Sequence, residues 1–479
     1  MPNGDTSTQS GLRVRVRMYR PGLGDCFLVS FLREEKSQHV LIDCGVLQGT
    51  PDGEEIMRKI VRSIRRTTKK KLDLLIPTHE HWDHLSGFVQ AQDLFDGMQI
   101  DKIWLAWTED PADQLAGELR EEHALMLQSL KTALARMPED MGIARRGLFG
   151  LLNFFGEPLA AAGVSGARQA LDYLAGRTDA SISFCRPADP FHMLEDLPGV
   201  RFYVLGPPVD EKMLMKTRPS KKNQEGYGML HESYPSRGFL QALEALKSQP
   251  GALRRDLPFE EHSCMPLEEA RQMAFFQQFY GFEETAGHGE AWRRIDADWL
   301  AAAGELALDL DRATNNTSLV LAIELVDSGR VLLFPADAQA GSWLSWGELE
   351  WQAAGSGGEP HTITGLDLLK RTVFYKVAHH GSHNATLRAK GLEQMESAEL
   401  QAMIPVSREK VEQLGWNMPF PALFSRLQEK THGRVIRLDD GVPSQPSAIA
   451  GSPPPETAEW QDFQRRSSEK PLYVDLYFD

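Results

Sequence analysis

The sequence predicts a mixed α/β fold carrying two long insertions. Three observations support this. Short apolar runs of strand length recur along the chain. Stretches with helical periodicity lie between them. The strand signals also stop twice, near residues 110 and 208, and each time a long, charged, partly helical interval follows.

Taken in order, Leu12 to Tyr19 alternates with period two, as a half-exposed strand does. Cys26 to Phe31 and Val40 to Ile42 are further short strands. Ile56, Ile60, Val61 and Ile64 mark one face of a helix that runs out in Lys69, Lys70 and Lys71, and Leu72 to Ile76 follows as a buried strand. From Pro111 to about Gly176 the pattern is helical, with Leu115, Leu119, Met126, Leu130 and Leu134 near one face. Strands return at Ser181 to Cys185 and Val200 to Leu205. A second interval contains Lys221 to Gly226, read as an exposed loop. Ser318 to Leu325, Arg330 to Phe334 and Val373 to Ala378 are strands again. Gly441 to Thr457, rich in Pro, Ser and Gly, reads as a linker, and Leu472 to Phe478 as a last strand. The expected organisation is a first part of the main domain (1–110), a helical insertion (111–180), further strands (181–208), a second insertion (209–311), a second part (312–440), and a linker with a C-terminal strand (441–479). At least one insertion is expected to overhang the active site, with a dimer interface as the alternative.

The 479 residues hold 52 Lys and Arg against 67 Asp and Glu, a formal charge of −15. Such a chain has no general attraction for nucleic acid or anionic membranes, which excludes a DNA-coating protein. It does not exclude an enzyme that holds phosphate through bound cations. Cys26, Cys44, Cys185 and Cys264 are scattered without a Cys-x-x-Cys pair, which disfavours a disulfide framework or a cysteine zinc site. No signal-peptide pattern opens the sequence and no apolar run approaches the ~18 residues of a membrane span. The expected location is the cytoplasm, with no membrane partner, and a homo-oligomer is allowed.

The strongest signal is Thr78-His79-Glu80-His81-Trp82-Asp83-His84, directly after a buried strand. Imidazole and carboxylate are ligands that zinc, manganese and iron prefer. Packed together without a cation, these groups would repel one another or pay for desolvation, so a purely structural role explains them poorly. His79 and His81 can turn toward one ion while Asp83 and His84 face another.

This His-x-His-x-Asp-His pattern resembles the signature of the metallo-β-lactamase superfamily, whose fold is a four-layer αββα sandwich of metal-dependent hydrolases. Ile42-Asp43-Cys44-Gly45 is similar to that family's early Asp-x-Gly strand end. Leu333 to Asp337 resembles the strand whose final aspartate bridges two metals, and Lys376 to Ser382 resembles the late histidine motif. Together with Gly22 to Cys26 and Thr314 to Val320, the late motif looks most like the soluble hydrolase domain of ComEC-type competence proteins. The resemblance implies two divalent transition-metal ions, zinc first and manganese or iron as alternatives. It implies His79, His81, Asp83, His84 and Asp337 as ligands, with His379 or His380 completing the second ion; on a strand end, one of that pair would face the metal and the other would point away. The superfamily's additional histidine is missing after Trp107, where Thr108, Glu109 and Asp110 stand instead.

Asp83 and His383 are the candidate catalytic residues, His383 as a general acid beside Ser382. The expected activity is attack by a metal-bound hydroxide on a phosphodiester, in nucleic acid or a nucleotide. The alternatives are hydrolysis of a lactone, thioester or amide, and a non-catalytic module that retains its metal. Asp25 and Asp43 read as supports behind the ligands, and His123 as a core histidine rather than the missing ligand. His192, His231, His262, His288, His361 and His432 are isolated. The run Arg62, Arg65, Arg66 and Lys69 to Lys71 reads as a solvated helix end before it reads as a substrate contact.

Overall fold

Period-two alternation in the first strand sorts its side chains to two faces, and the structure, a computed structural model, uses both. It describes residues 11–33, 36–136, 142–156, 165–218, 265, 267–280, 298–354, 360–446 and 457–479. The strands are β1 (Arg13–Tyr19), β2 (Phe27–Arg33), β3 (Lys36–Ile42), β4 (Lys71–Leu72), β5 (Leu74–Ile76), β6 (Gln99–Ile100), β7 (Lys102–Ala106), β8 (Ser181–Cys185) and β9 (Val200–Gly206). They continue with β10 (Val320–Leu325), β11 (Arg330–Phe334), β12 (Glu350–Ala354), β13 (Pro360–Thr364), β14 (Thr372–Lys376), β15 (Gln401–Ile404), β16 (Val435–Arg437), β17 (Ser467–Lys470) and β18 (Tyr473–Phe478).

Two mixed sheets dominate, in the orders β17-β18-β1-β2-β3-β5-β7-β8 and β16-β15-β14-β11-β10-β9. One apolar core serves both: Val14, Val16 and Met18 of β1 share it with Leu321, Leu332, Phe374 and Met403. Phe27 meets Phe334, and Phe31 meets Phe202, edge to face across the sheets at 6.0 and 6.2 Å. Cutting Phe334 to alanine should cost about 3–5 kcal/mol through the cavity left behind. The outer face of the first sheet is covered by helices α1 (Gly53–Thr67), α2 (Trp82–Gln90) and Gly166–Ala175, through Ile60, Ile64, Leu85, Phe88 and Leu171. The other face of β1 carries Arg17, which is buried rather than half-exposed. Its guanidinium donates to both carboxylate oxygens of its cross-strand partner Asp475, at 2.6 and 2.8 Å.

The chain divides into two units. The first holds residues 1–120, 153–231 and 311–479, and includes both sheets; the second holds 121–152 and 232–310, and its described residues are helical apart from Met265 and Met273. Among the described residues, no helix is long and apolar enough to cross a membrane.

Three local readings differ from expectation. The strand expected at Leu72 to Ile76 breaks at Asp73, whose carboxylate accepts the His39 N–H at 2.8 Å and pairs with Lys71, so that Leu72 and Leu74 pair with different strands. The hairpin β12–β13 was not foreseen. The expected linker contains, in its described part and just beyond, the start of a helix, Thr457–Arg466, which buries Phe463. The Lys221 loop lies outside the described residues.

The parallel pairs position the site. β3 runs parallel to β5 and β11 to β14, so the residues following each pair leave from the same end. A bond from Leu319 N–H to the Thr78 carbonyl, 2.9 Å, ties the loop after β5 to the start of β10 in the other sheet.

Candidate metal centre

β5 ends at Ile76 and α2 begins at Trp82, so His79 and His81 occupy the turn between them, while Asp83 and His84 occupy the helix's first turn. A carboxylate there is favoured by the helix dipole. The turn presses against the loop between β1 and β2 and the segment after β3. A Cβ on Gly24 would lie 2.6 Å from the Asp83 carbonyl oxygen, and one on Gly45 only 2.3 Å from it. Only glycine permits that approach, and the Asp25 N–H bonds the Asp83 carbonyl at 2.9 Å.

From the other sheet comes Asp337, three residues past β11. Its N–H donates to Ser318 Oγ at 3.2 Å. Its Oδ1 accepts from Lys376 Nζ at 3.2 Å and from the His379 N–H at 3.1 Å. Its Oδ2 faces His84 Nε2 at 3.2 Å, His379 Nε2 at 3.9 Å and His380 Nε2 at 4.0 Å. The two adjacent histidines do not part to opposite sides as a strand would make them. Residues 378–381 leave the strand in a tight turn with φ of 44° at His379 and 52° at His380, and both rings are buried.

The imidazoles have backing. His84 Nδ1 donates to Asp43 Oδ2 at 2.8 Å, and His380 Nδ1 to the Pro405 carbonyl at 2.9 Å. The Thr78 hydroxyl gives its proton to Asp43 and so accepts from His79 Nδ1, at 3.0 Å. Each backing bond leaves Nε2 as the inward lone pair. Those lone pairs then face other acceptors: His84 Nε2 meets Asp337, and His380 Nε2 meets Asp83 Oδ2 at 3.0 Å. His79 Nε2 meets another imidazole nitrogen, His81 Nδ1, at 3.1 Å. Acceptor facing acceptor in a buried space requires a proton or a cation between them. The donor set therefore fits divalent metal. The charge count agrees, since Asp25, Asp43, Asp83 and Asp337 are all buried near Lys376, the one buried lysine among the described residues.

The proton affinities carry the same message. Burial alone would lower the pKa of His84, but Asp337, Asp25, Asp43 and Asp83 outweigh it and raise it well above the usual value. His380 is also raised, with Asp83 and Asp337 overcoming burial. Burial, then the neighbouring histidines, hold His79 well below. Burial takes His81 down to about 3 and His379 to about 4. Burial would raise Asp337, but His84, Lys376 and His379 pull it well below the carboxylate range. Burial lifts Asp311 to about 7.

Two ligand groups stand out among the described residues. His79, His84 and Asp337 offer atoms within 4.8 Å of one another, as do Asp25, His84 and His380. The second group lies behind the rings, on the nitrogens already facing Asp43 and Pro405, and Lys376 paired with Asp25 supplies its positive charge. The first group is the front of the centre.

His383 is exposed, its ring 6.0 Å from Phe420, and no hydrogen bond joins it to the ligands among the described residues. Where the additional histidine was missing, Glu109 pairs with Arg168 at 2.6 Å, and Arg168 also reaches Glu80 at 3.2 Å. His123 lies half-buried in the second unit. In the basic run, Arg65 bonds the Leu94 carbonyl and Lys71 pairs with Asp73 and Asp101. Cys26, Cys44 and Cys185 are buried free thiols; His231, His262, His288 and Cys264 lie outside the described residues.

Sequence reasoning gave no role to Lys376 or Asp311, nor to Gln339 and Asn384, which bond each other at 2.7 Å while Gln339 reaches His379 Nδ1 at 3.4 Å. It also missed Phe154 and Phe155, whose rings lie 5.5 and 5.0 Å from that of His81. The only available signal for these was apolar residues inside a helical interval, which ordinarily means core.

Residues 19–98 match the family model of the metallo-beta-lactamase superfamily. The matched segment contains the His79 to His84 turn and stops short of Asp337 and the late histidines. No curated protein matches this chain. The match and the ligand groups together indicate a metal-dependent hydrolase that binds divalent metal.

Proposed function

We propose that the chain is a dinuclear metal hydrolase of phosphodiesters, acting on nucleic acid or a nucleotide, on the four-layer αββα frame its motifs resemble. The observation that carries this reading is the convergence of the Nε2 atoms of His84, His379 and His380 on Asp337 Oδ2, with His79 in one ligand group with His84 and Asp337 and with Asp83 beside His380. His79 and His81 would hold one cation, and Asp83, His84 and His380 the other, with Asp337 between. When bound, the pair supplies a water of lowered pKa and positive charge beside the scissile centre.

The chain's residues do the rest. Asp83 Oδ1 is buried and has no hydrogen-bond partner among the described residues, which makes it the acceptor for the attacking water's proton. Lys376 holds Asp337 Oδ1 and leaves Oδ2 for the front of the centre. Burial, then the charges of Arg312 and Arg218, lower the pKa of His383. Positive charge on that side supports an anionic substrate, whose own charge would raise His383 again and let it take up the proton that it then gives to the leaving oxygen. The resemblance of Lys376 to Ser382 to ComEC-type domains supports the same substrate class.

A second reading, hydrolysis of a lactone or thioester, is favoured by the aromatic wall in which Phe154 lies against His81 and stacks on Trp416 at 5.4 Å. The test is a substrate panel on zinc- or manganese-loaded protein. Bis-(p-nitrophenyl) phosphate should be cleaved. Ready hydrolysis of lactones or thioesters with no phosphodiester cleaved would overturn the assignment and leave the metal hydrolase.

A further inference from the structure

Asp311 lies on the helix Asp298–Asn316, outside every motif that marks the metal centre, and is only 7% exposed. Its Oδ2 accepts from Asn315 Nδ2 at 3.3 Å, one helical turn on. Its Oδ1 has no hydrogen-bond partner among the described residues, and neither does His81 Nε2. These two orphaned atoms face each other at 3.8 Å. Each buried polar group left unpaired costs about 1–3 kcal/mol, and a closure of about 1 Å would pair them. Phe154 and Phe155 flank the same ring, so the described surroundings offer Nε2 apolar faces rather than another acceptor.

We propose that Asp311 is the positioning residue of His81: its carboxylate takes the Nε2–H and so turns the Nδ1 lone pair toward the cation shared with His79. The other side of the centre already shows the device in closed form, with Asp43 on His84 at 2.8 Å. The role matters more at His81, because no histidine stands after Trp107, where the superfamily that the motifs resemble carries an additional one, and Glu109 in that stretch is committed to Arg168. A cation with fewer ligands depends more on how each one is aimed. The inference rests on the metal reading above and adds to it a residue contributed by the helix that closes the second long interval.

The test uses the full chain with Asp311→Leu, which removes the acceptor, and Asp311→Asn, which keeps an acceptor oxygen. Zinc stoichiometry and affinity are measured by chelator competition, and melting is measured with and without zinc. Asp311→Leu should weaken the more weakly held ion about 10–100-fold. It should leave the metal-free melting point unchanged or higher, because it removes a buried carboxylate that has one oxygen unpaired among the described residues and only a long bond on the other. Asp311→Asn should fall between Asp311→Leu and wild type. A purely structural residue would lower the metal-free melting point and leave affinity alone. Wild-type affinity for both ions in Asp311→Leu overturns the proposal, while a wild type that takes up no metal overturns the metal reading beneath it. Should Asp311→Leu not fold, ¹⁵N-histidine spectra of the zinc-loaded wild type decide: a proton on His81 Nε2 supports the role, and one on Nδ1 rejects it.

Discussion

Around Asp83, His84 and His380, the rings are fixed from behind by Asp43 and the Pro405 carbonyl, and the buried ammonium of Lys376 stands beside Asp25 and Asp337. Around His79 and His81 the backing is looser: a hydroxyl behind His79, a 3.8 Å gap between His81 and Asp311, and two phenylalanine rings. The difference is one of preorganisation. The first region has its lone pairs aimed before a cation arrives, whereas the second must still close a bond. Both regions carry the residue types a motif would list, so ligand identity alone does not rank them. The hydrogen bonds one layer out do, and they imply unequal hold on the two ions proposed above.

The residue shared by both regions should show the largest effect. Asp337→Ala removes the one carboxylate oxygen that, among the described residues, faces His84, His379 and His380 together. Metal content should fall for both proposed ions, and the proposed phosphodiesterase activity should drop by roughly 10²–10³-fold or more. Elemental analysis alongside the aryl phosphodiester assay checks this, and loss of only one ion would show that the two regions do not share Asp337.

Stability should separate the regions next. Lys376→Met leaves Asp25 and Asp337 without their ammonium, and breaking such a buried pair costs about 3–5 kcal/mol. Zinc should restore part of that loss by supplying positive charge nearby. Denaturant unfolding with and without zinc measures both terms; a metal-free Lys376→Met protein as stable as wild type would remove the ammonium from the account. In the same region, Asp43→Asn weakens the carboxylate behind His84 and should lower affinity for the more tightly held ion about 10–100-fold.

What could be read in advance follows the same divide. His79 to His84 lie within six positions on one turn, so their convergence is local and visible in the sequence. The strands were visible because alternation survives in β1 and apolar runs in β5 and β11. His379 and His380 were visible as a pair, but not their common direction, because left-handed backbone at two successive non-glycine residues has no signature in alternation. Lys376 reads only as the start of the late histidine motif, and it is buried against two carboxylates that stand 351 and 39 positions away in the chain. Asp311 reads as one acid in a charged helix. The helix at Thr457–Arg466 was masked by the proline and serine that precede it. Contacts made across the sheets are set by the fold, and no local pattern encodes them.

The smallest effect, and the one that most directly contrasts the regions, is the pH dependence of metal uptake. In the metal-free protein, Asp337 and its fellow carboxylates raise His84, and Asp83 raises His380, so these rings hold protons into the range where a neutral ligand is needed. A cation entering there must displace those protons, and its affinity should rise with pH by up to about tenfold per unit for each proton released, levelling off above the raised pKa values. His79 is held well below the usual value, and His81 is down at about 3, chiefly by burial. Both are therefore neutral where His84 and His380 still hold their protons, so the ion proposed between them should bind with little change across that pH range. Titration calorimetry in buffers of different ionisation enthalpy counts the protons released with each ion. One strongly proton-linked ion and one nearly proton-independent ion is the expected pattern. Equal proton release from both would mean that the two regions have the same charge environment, and the contrast drawn from their backing would fail with it.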